Sequence, residues 1–285
     1  MKTDLFMKIE ETPATESEGH VKNQSALMSQ LEYSISKKID LLSSSLPRYA
    51  VRSMLAGLFL ALGTAIGFYI AIRMHGALPG LEKATYAFMF SWGLVMIIFL
   101  NAELGTSNML YTTIGVYKKK MSFAFALKLL LICIFFNLIG GVLSGYLLSL
   151  TTPFSHLEPD NFMFTGVAAK LTKSTSQILV EGMFANILVN IAVLASLRIK
   201  DDTAKVLVIV FVIFIFSFLG YEHVIANFPA FSLTYFAAHG TLAEMTAGNV
   251  LHNLFFTLIG NFIGGGLVMG LGYAWLNNTE SKYVD

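Results

Sequence analysis

The sequence is poor in charge, because only 13% of its 285 residues are Asp, Glu, Lys or Arg, against about 25% in a typical soluble domain. Its 19 basic and 18 acidic side chains nearly cancel, which excludes the basic face of a nucleic-acid-binding module. A single cysteine, Cys133, excludes an internal disulfide framework and any multi-cysteine metal site. Hydrophobic residues make up 55% of the chain, which fits neither a soluble enzyme nor a disordered chain. A polytopic membrane protein is the class that remains.

Long apolar runs fill the chain after Pro47. A helix needs roughly 20 apolar residues to cross a bilayer, and six candidate spans meet that requirement: residues 50–72, 84–117, 123–150, 175–197, 204–238 and 250–276. The second and fifth runs are too long for one straight span, and both carry charge near their middle. We therefore predict an all-α membrane protein with six transmembrane helices, of which helices 2 and 5 are broken.

The first 46 residues differ from the rest because they are polar and lack the apolar segment of a cleavable signal peptide. From Leu27 onward, apolar residues recur at roughly helical spacing, which predicts a short amphipathic helix over 27–46 on the membrane surface. We divide the chain into a tail (1–46), a transmembrane domain (47–277) and a second tail (278–285).

The distribution of lysine and arginine predicts the orientation, because cytoplasmic loops are enriched in both. With the N-terminus inside, 11 of these residues fall in inside segments between Lys37 and Lys282, and four fall outside: Arg73, Lys83, Lys170 and Lys173. Both termini are therefore expected in the cytoplasm of a cell whose plasma or inner membrane holds the protein.

Two short patterns occur twice in the same order. Glu-x-x-x-x-Asn occupies residues 103–108 and 222–227, and Asn-x-Ile-Gly-Gly occupies 137–141 and 261–265. The second pattern starts 34 residues after Glu103 in one half and 39 residues after Glu222 in the other. Because each half holds three spans, an odd number, the halves must insert with opposite topology. This predicts two inverted three-helix repeats, an architecture of transport proteins.

The repeated patterns lie at the predicted breaks. Unwound backbone at membrane depth is tolerated only where it is buried in protein or lines a water-filled cavity, and a charged side chain there is costly unless it serves a function. We expect the two breaks to face each other across a pore. Glu103, Asn108, Glu222 and Asn227 are expected to brace the breaks, while their neighbours act on whatever passes.

Three motifs together resemble those of the formate/nitrite transporter family: Ala-Glu-Leu-Gly-Thr-Ser at 102–107, Gly-Tyr-Glu-His-Val-Ile-Ala-Asn at 220–227 and Gly-Asn-Phe-Ile-Gly-Gly-Gly at 260–266. The resemblance covers about residues 47–276. It implies a homopentamer of aquaporin-like protomers in the lipid bilayer, each with its own pore for a small monovalent anion, without a cofactor or metal and without nucleic acid. Aquaporin itself is disfavoured because it needs two Asn-Pro-Ala boxes, whereas the most similar string here is Asn-Phe-Pro-Ala at 227–230.

The resemblance also assigns roles to residues that match the family's motifs. His223 matches the central pore histidine, and Thr106 matches the threonine that hydrogen-bonds it. Asn186 and Asn261 match polar residues near that site, and Lys170 matches a vestibule lysine. The matching constriction residues are Phe90, Leu94, Leu104 and Phe216. Gly105 stands where many formate channels have Phe, so the gate on that side is expected to be either looser or moved to Leu104.

Several functions remain open at this point. The leading interpretation is a formate channel or a proton-coupled transporter that uses His223, and nitrite or hydrosulfide channels of the same family are the alternatives. An intramembrane enzyme is a different class, but the spans contain no H-E-x-x-H, no G-x-S-x-G and no second carboxylate pair. A structural or signalling protein would not need polar pairs at mid-membrane depth.

Overall fold

The structure is a computed structural model that describes residues 25–78 and 80–278. This part of the chain is helical throughout, with no β-strand. Its α-helices are α1 Ala26–Ser44, α2 Leu46–Ala77, α3 Glu82–Phe90, α4 Trp92–Phe99, α5 Gly105–Tyr117, α6 Phe123–Ser149, α7 Phe162–Leu171, α8 Thr175–Arg198, α9 Asp202–Leu219, α10 Val224–Ala237, α11 Ala247–Asn261 and α12 Gly272–Leu276. A π-helical segment, Phe262–Leu271, joins α11 to α12, and a 3₁₀ turn occupies Thr152–Phe154.

Five helical stretches in the described residues are long and apolar enough to cross a membrane: Leu46–Met74, Phe123–Ser149, Thr175–Arg198, Asp202–Leu219 and Ala247–Leu276. The predicted run 84–117 is missing from this set because it consists of three shorter helices, α3, α4 and α5. The predicted run 204–238 is divided between α9 and the shorter α10. The helix α7 has no counterpart among the predicted spans.

The first helix packs onto the protein. Ser25 caps α1, because its hydroxyl oxygen accepts a hydrogen bond from the backbone N–H of Met28 at 3.0 Å. The apolar stripe expected to face the membrane surface is buried instead, and Leu31 and Ile35 have no exposed area. Both belong to one apolar cluster with Leu110 of α5. Protein side chains thus cover the stripe of α1. Residues 1–24 of the predicted first tail and 279–285 of the second lie outside the described residues.

The two Asn-x-Ile-Gly-Gly patterns produce matching close contacts between helices. A β-carbon at Gly140 of α6 would collide with the backbone of Met54 in α2, and one at Gly264 would collide with the backbone of Met183 in α8. Glycine therefore lets α6 approach α2, and lets the π-helical segment approach α8, to backbone contact. These contacts bring the asparagine at the start of each pattern close to a helix end.

Two non-helical stretches interrupt the long apolar runs. The helix α4 ends at Phe99 and α5 begins at Gly105, while α9 ends at Leu219 and α10 begins at Val224. Gly220 follows α9 with a φ of 76°, a left-handed conformation that suits glycine. Both stretches lead into buried side chains, since Leu104 is 2% exposed and His223 3% exposed.

Candidate functional site

His223 and Thr106 join the starts of two helices. His223 is the N-cap of α10, where its Nδ1 accepts a hydrogen bond from the backbone N–H of Ala226 at 3.1 Å. Its Nε2 lies 2.8 Å from the hydroxyl oxygen of Thr106, the second residue of α5. Because Nδ1 accepts, the neutral ring carries its proton on Nε2, which donates to Thr106. The Thr106 hydroxyl hydrogen is then available to another acceptor.

An aromatic series leads to this pair. The Phe90 and Phe216 rings meet edge to face with centroids 5.7 Å apart, and the Phe216 ring lies 5.9 Å from the imidazole of His223. On the other side, Tyr86 stacks on Phe90 at 5.8 Å and on Phe68 at 4.9 Å. Phe90 and Phe216 are almost fully buried. They form an apolar layer directly beside the imidazole.

A cavity of about 320 Å³ reaches the imidazole from one side. Its walls include the aromatic residues Phe68, Tyr86, Phe90, Phe162, Phe216 and Tyr221, together with Lys83, Lys170, Lys173, Glu181 and His223. The cavity is therefore mostly apolar with a few charged groups, a composition that is typical of a small-molecule site.

Glu222 organises the charges beside this cavity. Its side chain has no exposed area, and its Oε1 accepts from the Nζ of Lys170 at 3.1 Å and of Lys173 at 2.7 Å. Its Oε2 accepts from the amides of Asn227 at 2.8 Å and Asn253 at 3.3 Å. Lys173 also donates to the carboxylate of Glu181. All four lone-pair directions of Glu222 thus meet donors, as a buried carboxylate requires.

Lys173 lies in the link between α7 and α8, outside the long apolar helices. Burial disfavours its ammonium, but the carboxylates of Glu222 and Glu181 outweigh that effect, and the pKa of Lys173 is raised above its ordinary value. The Lys173 side chain consequently keeps its positive charge.

Glu103 has a matching environment at the other break. Its Oε2 accepts from Lys38 of α1 at 2.7 Å and from the amide of Asn108 at 2.9 Å. Its backbone N–H donates to the carbonyl of Arg52 at 3.0 Å. Each break therefore has a buried carboxylate that is held by an asparagine five residues later and by at least one lysine from another segment.

Asparagines connect both breaks to the neighbouring helices. Asn137 donates to the carbonyl of Glu103 at 2.8 Å and accepts from the N–H of Gly105 at 2.8 Å. Asn261 makes the same pair of bonds with Glu222 at 3.0 Å and Val224 at 2.9 Å. Backbone groups that the first turns of α5 and α10 leave unpaired are thereby satisfied.

The predicted pathway residues fall into two groups. His223, Lys170, Phe90 and Phe216 line the cavity, and Thr106 contacts His223 behind it. Asn186 and Asn261 do not line it: Asn186 donates to the carbonyls of Thr106 at 3.1 Å and Asn261 at 2.7 Å. A direct contact of either amide with a transported molecule stays a prediction.

The predicted constriction residues Leu94 and Leu104 also lie away from the cavity. Both are buried in the apolar cluster that contains Phe90 and Phe216. Gly105, next to Leu104, has little room for a larger residue, because a β-carbon there would lie 2.8 Å from Ile134 Cγ1 and 3.1 Å from Asn137 Oδ1.

Sequence reasoning missed three lysines and an asparagine: Lys38, Lys83, Lys173 and Asn253. Lys173 carried a usable signal, because it follows Lys170 by three residues just before an apolar run. Lys38 carried none, since only the folded chain brings α1 to the first break. Among the described residues, no three His, Cys, Asp or Glu side chains are placed to hold a metal ion.

The fold and this site define a class: a multi-pass helical membrane protein with a mostly apolar cavity that reaches a buried histidine at a helix start. Residues 25–275 match the family model described as "Formate/nitrite transporter". The chain belongs to the formate/nitrite transporter family, which is a family of transporters and not of enzymes.

Individual relatives agree with this assignment. The nitrite transporter NirC of Salmonella typhimurium is 30% identical over 233 residues, covering 81% of this chain and 84% of NirC. A solved structure described as an FNT family ion channel is 25% identical with a TM-score of 0.80, covering 88% of this chain and 98% of that one. A pentameric formate channel with formate bound has the same fold, with a TM-score of 0.62 at 23% identity, covering 80% and 96%.

Proposed function

We propose that the protein conducts small monovalent anions across the membrane, with formate as the first candidate, along a path from the cavity past His223 and Thr106. The observation that carries this proposal is the cavity of about 320 Å³, which holds lysines at its walls and the imidazole at its inner end. The family supplies the substrate class, since its description names formate and nitrite.

The proposal includes the architecture around the path. Six spans would form two inverted repeats, with α3–α5 as the broken second span and α9–α10 as the broken fifth. The matched bonds of Asn137 and Asn261 support this pairing. Both termini would be cytoplasmic, in agreement with the lysine and arginine distribution, and five protomers would assemble, as in the related pentameric formate channel.

An anion that enters an apolar constriction loses its hydration, and the idealised cost is of order 20 kcal/mol in a medium of low dielectric constant. Three features of the site reduce that cost. Lys170 places a positive charge in the cavity wall. The N-terminal ends of α5 and α10 carry partial positive charge and meet at the Thr106–His223 pair. The Thr106 hydroxyl can also donate a hydrogen bond to the anion.

The hydrogen bonds of His223 constrain how protons can be coupled to transport. The neutral ring donates through Nε2, so it cannot pass that proton on through Thr106 without becoming an imidazolate. A proton that His223 gives to the anion must therefore come from its imidazolium form, which arises when Nδ1 takes up a proton from water and gives up its bond from Ala226. We propose this imidazolium step as the proton-coupled mode, and anion passage beside the neutral ring as the channel mode.

A flux assay in proteoliposomes tests the proposal. Formate, nitrite and hydrosulfide are offered separately at two pH values, and a pH-sensitive dye reports the lumen. We expect flux of at least one anion above that of protein-free vesicles, and acidification of the lumen with formate in the coupled mode. Absence of flux for all three anions would contradict the proposed function.

Nitrite is the second candidate, since NirC, at 30% identity, is named as a nitrite transporter. Competition separates the two candidates: a nitrite transporter should take up nitrite at concentrations at which formate barely competes. Hydrosulfide stays a third member of the same panel.

A further inference from the structure

The lysines that line the cavity differ in how many carboxylates they contact. Lys173 is saturated, because its ammonium contacts Glu181, the carbonyl of Gly220 at 2.8 Å and Glu222 at 2.7 Å. Lys170 contacts Glu222 at 3.1 Å and the carbonyl of Tyr221 at 3.4 Å. These two lysines and two glutamates have no net charge together, so they stabilise one another rather than attract ions from a distance.

Lys83 adds a positive charge to the cavity wall beyond those that Glu181 and Glu222 neutralise. It is an exposed residue at the start of α3 and lines the same cavity, and no ion pair involves it among the residues that the structure describes. Its Nζ lies 5.9 Å from the centre of the Phe218 ring. It is also next to Gly220, because a β-carbon added to that glycine would lie 3.6 Å from it. The neighbouring Glu82 binds the N–H of Gly80 at 2.7 Å and does not line the cavity.

We infer that Lys83 recruits the anion at the mouth of the cavity and sets the apparent affinity, whereas Lys170 and Lys173 hold Glu222 in place. The inference rests on the proposed function, because it assigns a step of that same path. Lys83 lies beside the Gly220 turn, from which the chain continues through Glu222 to His223, so an anion attracted there is already at the entrance to the aromatic constriction.

A charge series at this position tests the inference. In water, a unit charge about 6–7 Å away changes the local anion concentration by about three-fold. Initial uptake rates are measured over a range of formate concentrations for the wild type, Lys83→Arg, Lys83→Gln and Lys83→Glu. We expect the half-saturating concentration to be unchanged in K83R, to rise about three-fold in K83Q and to rise about ten-fold in K83E, with the maximal rate kept. High ionic strength should remove most of these differences, because salt screens exposed charges.

Lys200→Gln is the matched control, since Lys200 is an exposed lysine beyond the opposite end of α9. It should behave as the wild type. Equal half-saturating concentrations in wild type, K83Q and K83E at low salt would overturn the inference, as would an equal shift in K200Q. Absence of any formate, nitrite or hydrosulfide flux in the wild type would instead defeat the proposed function, and this inference with it.

Discussion

Replacing Thr106 with valine removes the hydroxyl that His223 contacts at 2.8 Å and keeps nearly the same side-chain volume. Thr106 has no exposed area and His223 is 3% exposed, so water has little access to replace the lost partner. In the proposed path the Thr106 hydroxyl donates a hydrogen bond to the passing anion, and a hydrogen bond to a charged group is worth about 1.5–3 kcal/mol. The loss of this bond raises the transport barrier by that amount. Since about 1.4 kcal/mol is a factor of ten in rate, uptake should fall by about ten- to 150-fold.

The assay compares initial formate uptake in proteoliposomes that contain equal amounts of protein. Thr106→Ser keeps the hydroxyl and should retain most of the activity. Thr112→Val is the matched control on the same helix, because the Thr112 hydroxyl is equally buried but donates to the carbonyl of Asn108 at 2.7 Å within α5. Uptake by T106V that equals that of T112V, with the same dependence on pH, would refute the role of the His223–Thr106 pair.

Three further predictions concern the same path and its support. His223→Phe should abolish or greatly alter pH-dependent uptake while size-exclusion chromatography shows an intact oligomer; wild-type pH behaviour would remove the imidazole from the mechanism. Lys170→Ala should lower the maximal rate of formate uptake in the flux assay, because it removes a positive charge from the cavity wall and one of the two lysines that hold Glu222; a change in the half-saturating concentration alone would contradict this and give Lys170 the role inferred for Lys83. Gly264→Ala should lower the Tm of the solubilised protein, because overpacking against the Met183 backbone costs about 1–3 kcal/mol or more. Gly272→Ala, where an added β-carbon would meet no other part of the protein within 4 Å, should leave the Tm unchanged or raise it, and an equal loss in both variants would contradict the close-contact argument.

Much of the fold was accessible from sequence, because a membrane-spanning helix must be long and apolar. The predicted runs 123–150 and 175–197 correspond to α6 Phe123–Ser149 and α8 Thr175–Arg198. The run 84–117 was recognised as irregular from its charge, but its division at Ser91 into α3 and α4 was not. Gly93 lies two residues after that point, but a glycine inside an apolar run does not by itself predict a helix end. The position of the division therefore depends on packing.

The part of the candidate site that could be predicted is the part built from a sequence pattern that occurs twice. Glu103 with Asn108 and Glu222 with Asn227 are five residues apart, and in the structure each asparagine donates to its glutamate. The partners from distant segments were not predictable, since the contact between Lys38 and Glu103 joins residues 65 positions apart. Local sequence patterns do not encode such contacts.

The amide of Asn261 shows why the role of a polar residue is harder to predict than its position. Its motif placed it near the central site, and it does lie there. However, its side chain is occupied by the N–H of Val224 and by the carbonyls of Gly182 and Glu222. Broken helices leave backbone groups unpaired, and a nearby amide satisfies them, so such a residue can be essential to the path without touching the anion.

The central claim is that an anion passes beside His223 between the ends of two interrupted helices. A cryo-electron microscopy map of the protein in lipid nanodiscs with formate tests it most directly. The account predicts helix ends at Phe99 and Leu219, and an imidazole that contacts Thr106 at the inner end of the cavity. A continuous helix through either interruption, or a His223 side chain turned toward lipid, would contradict it.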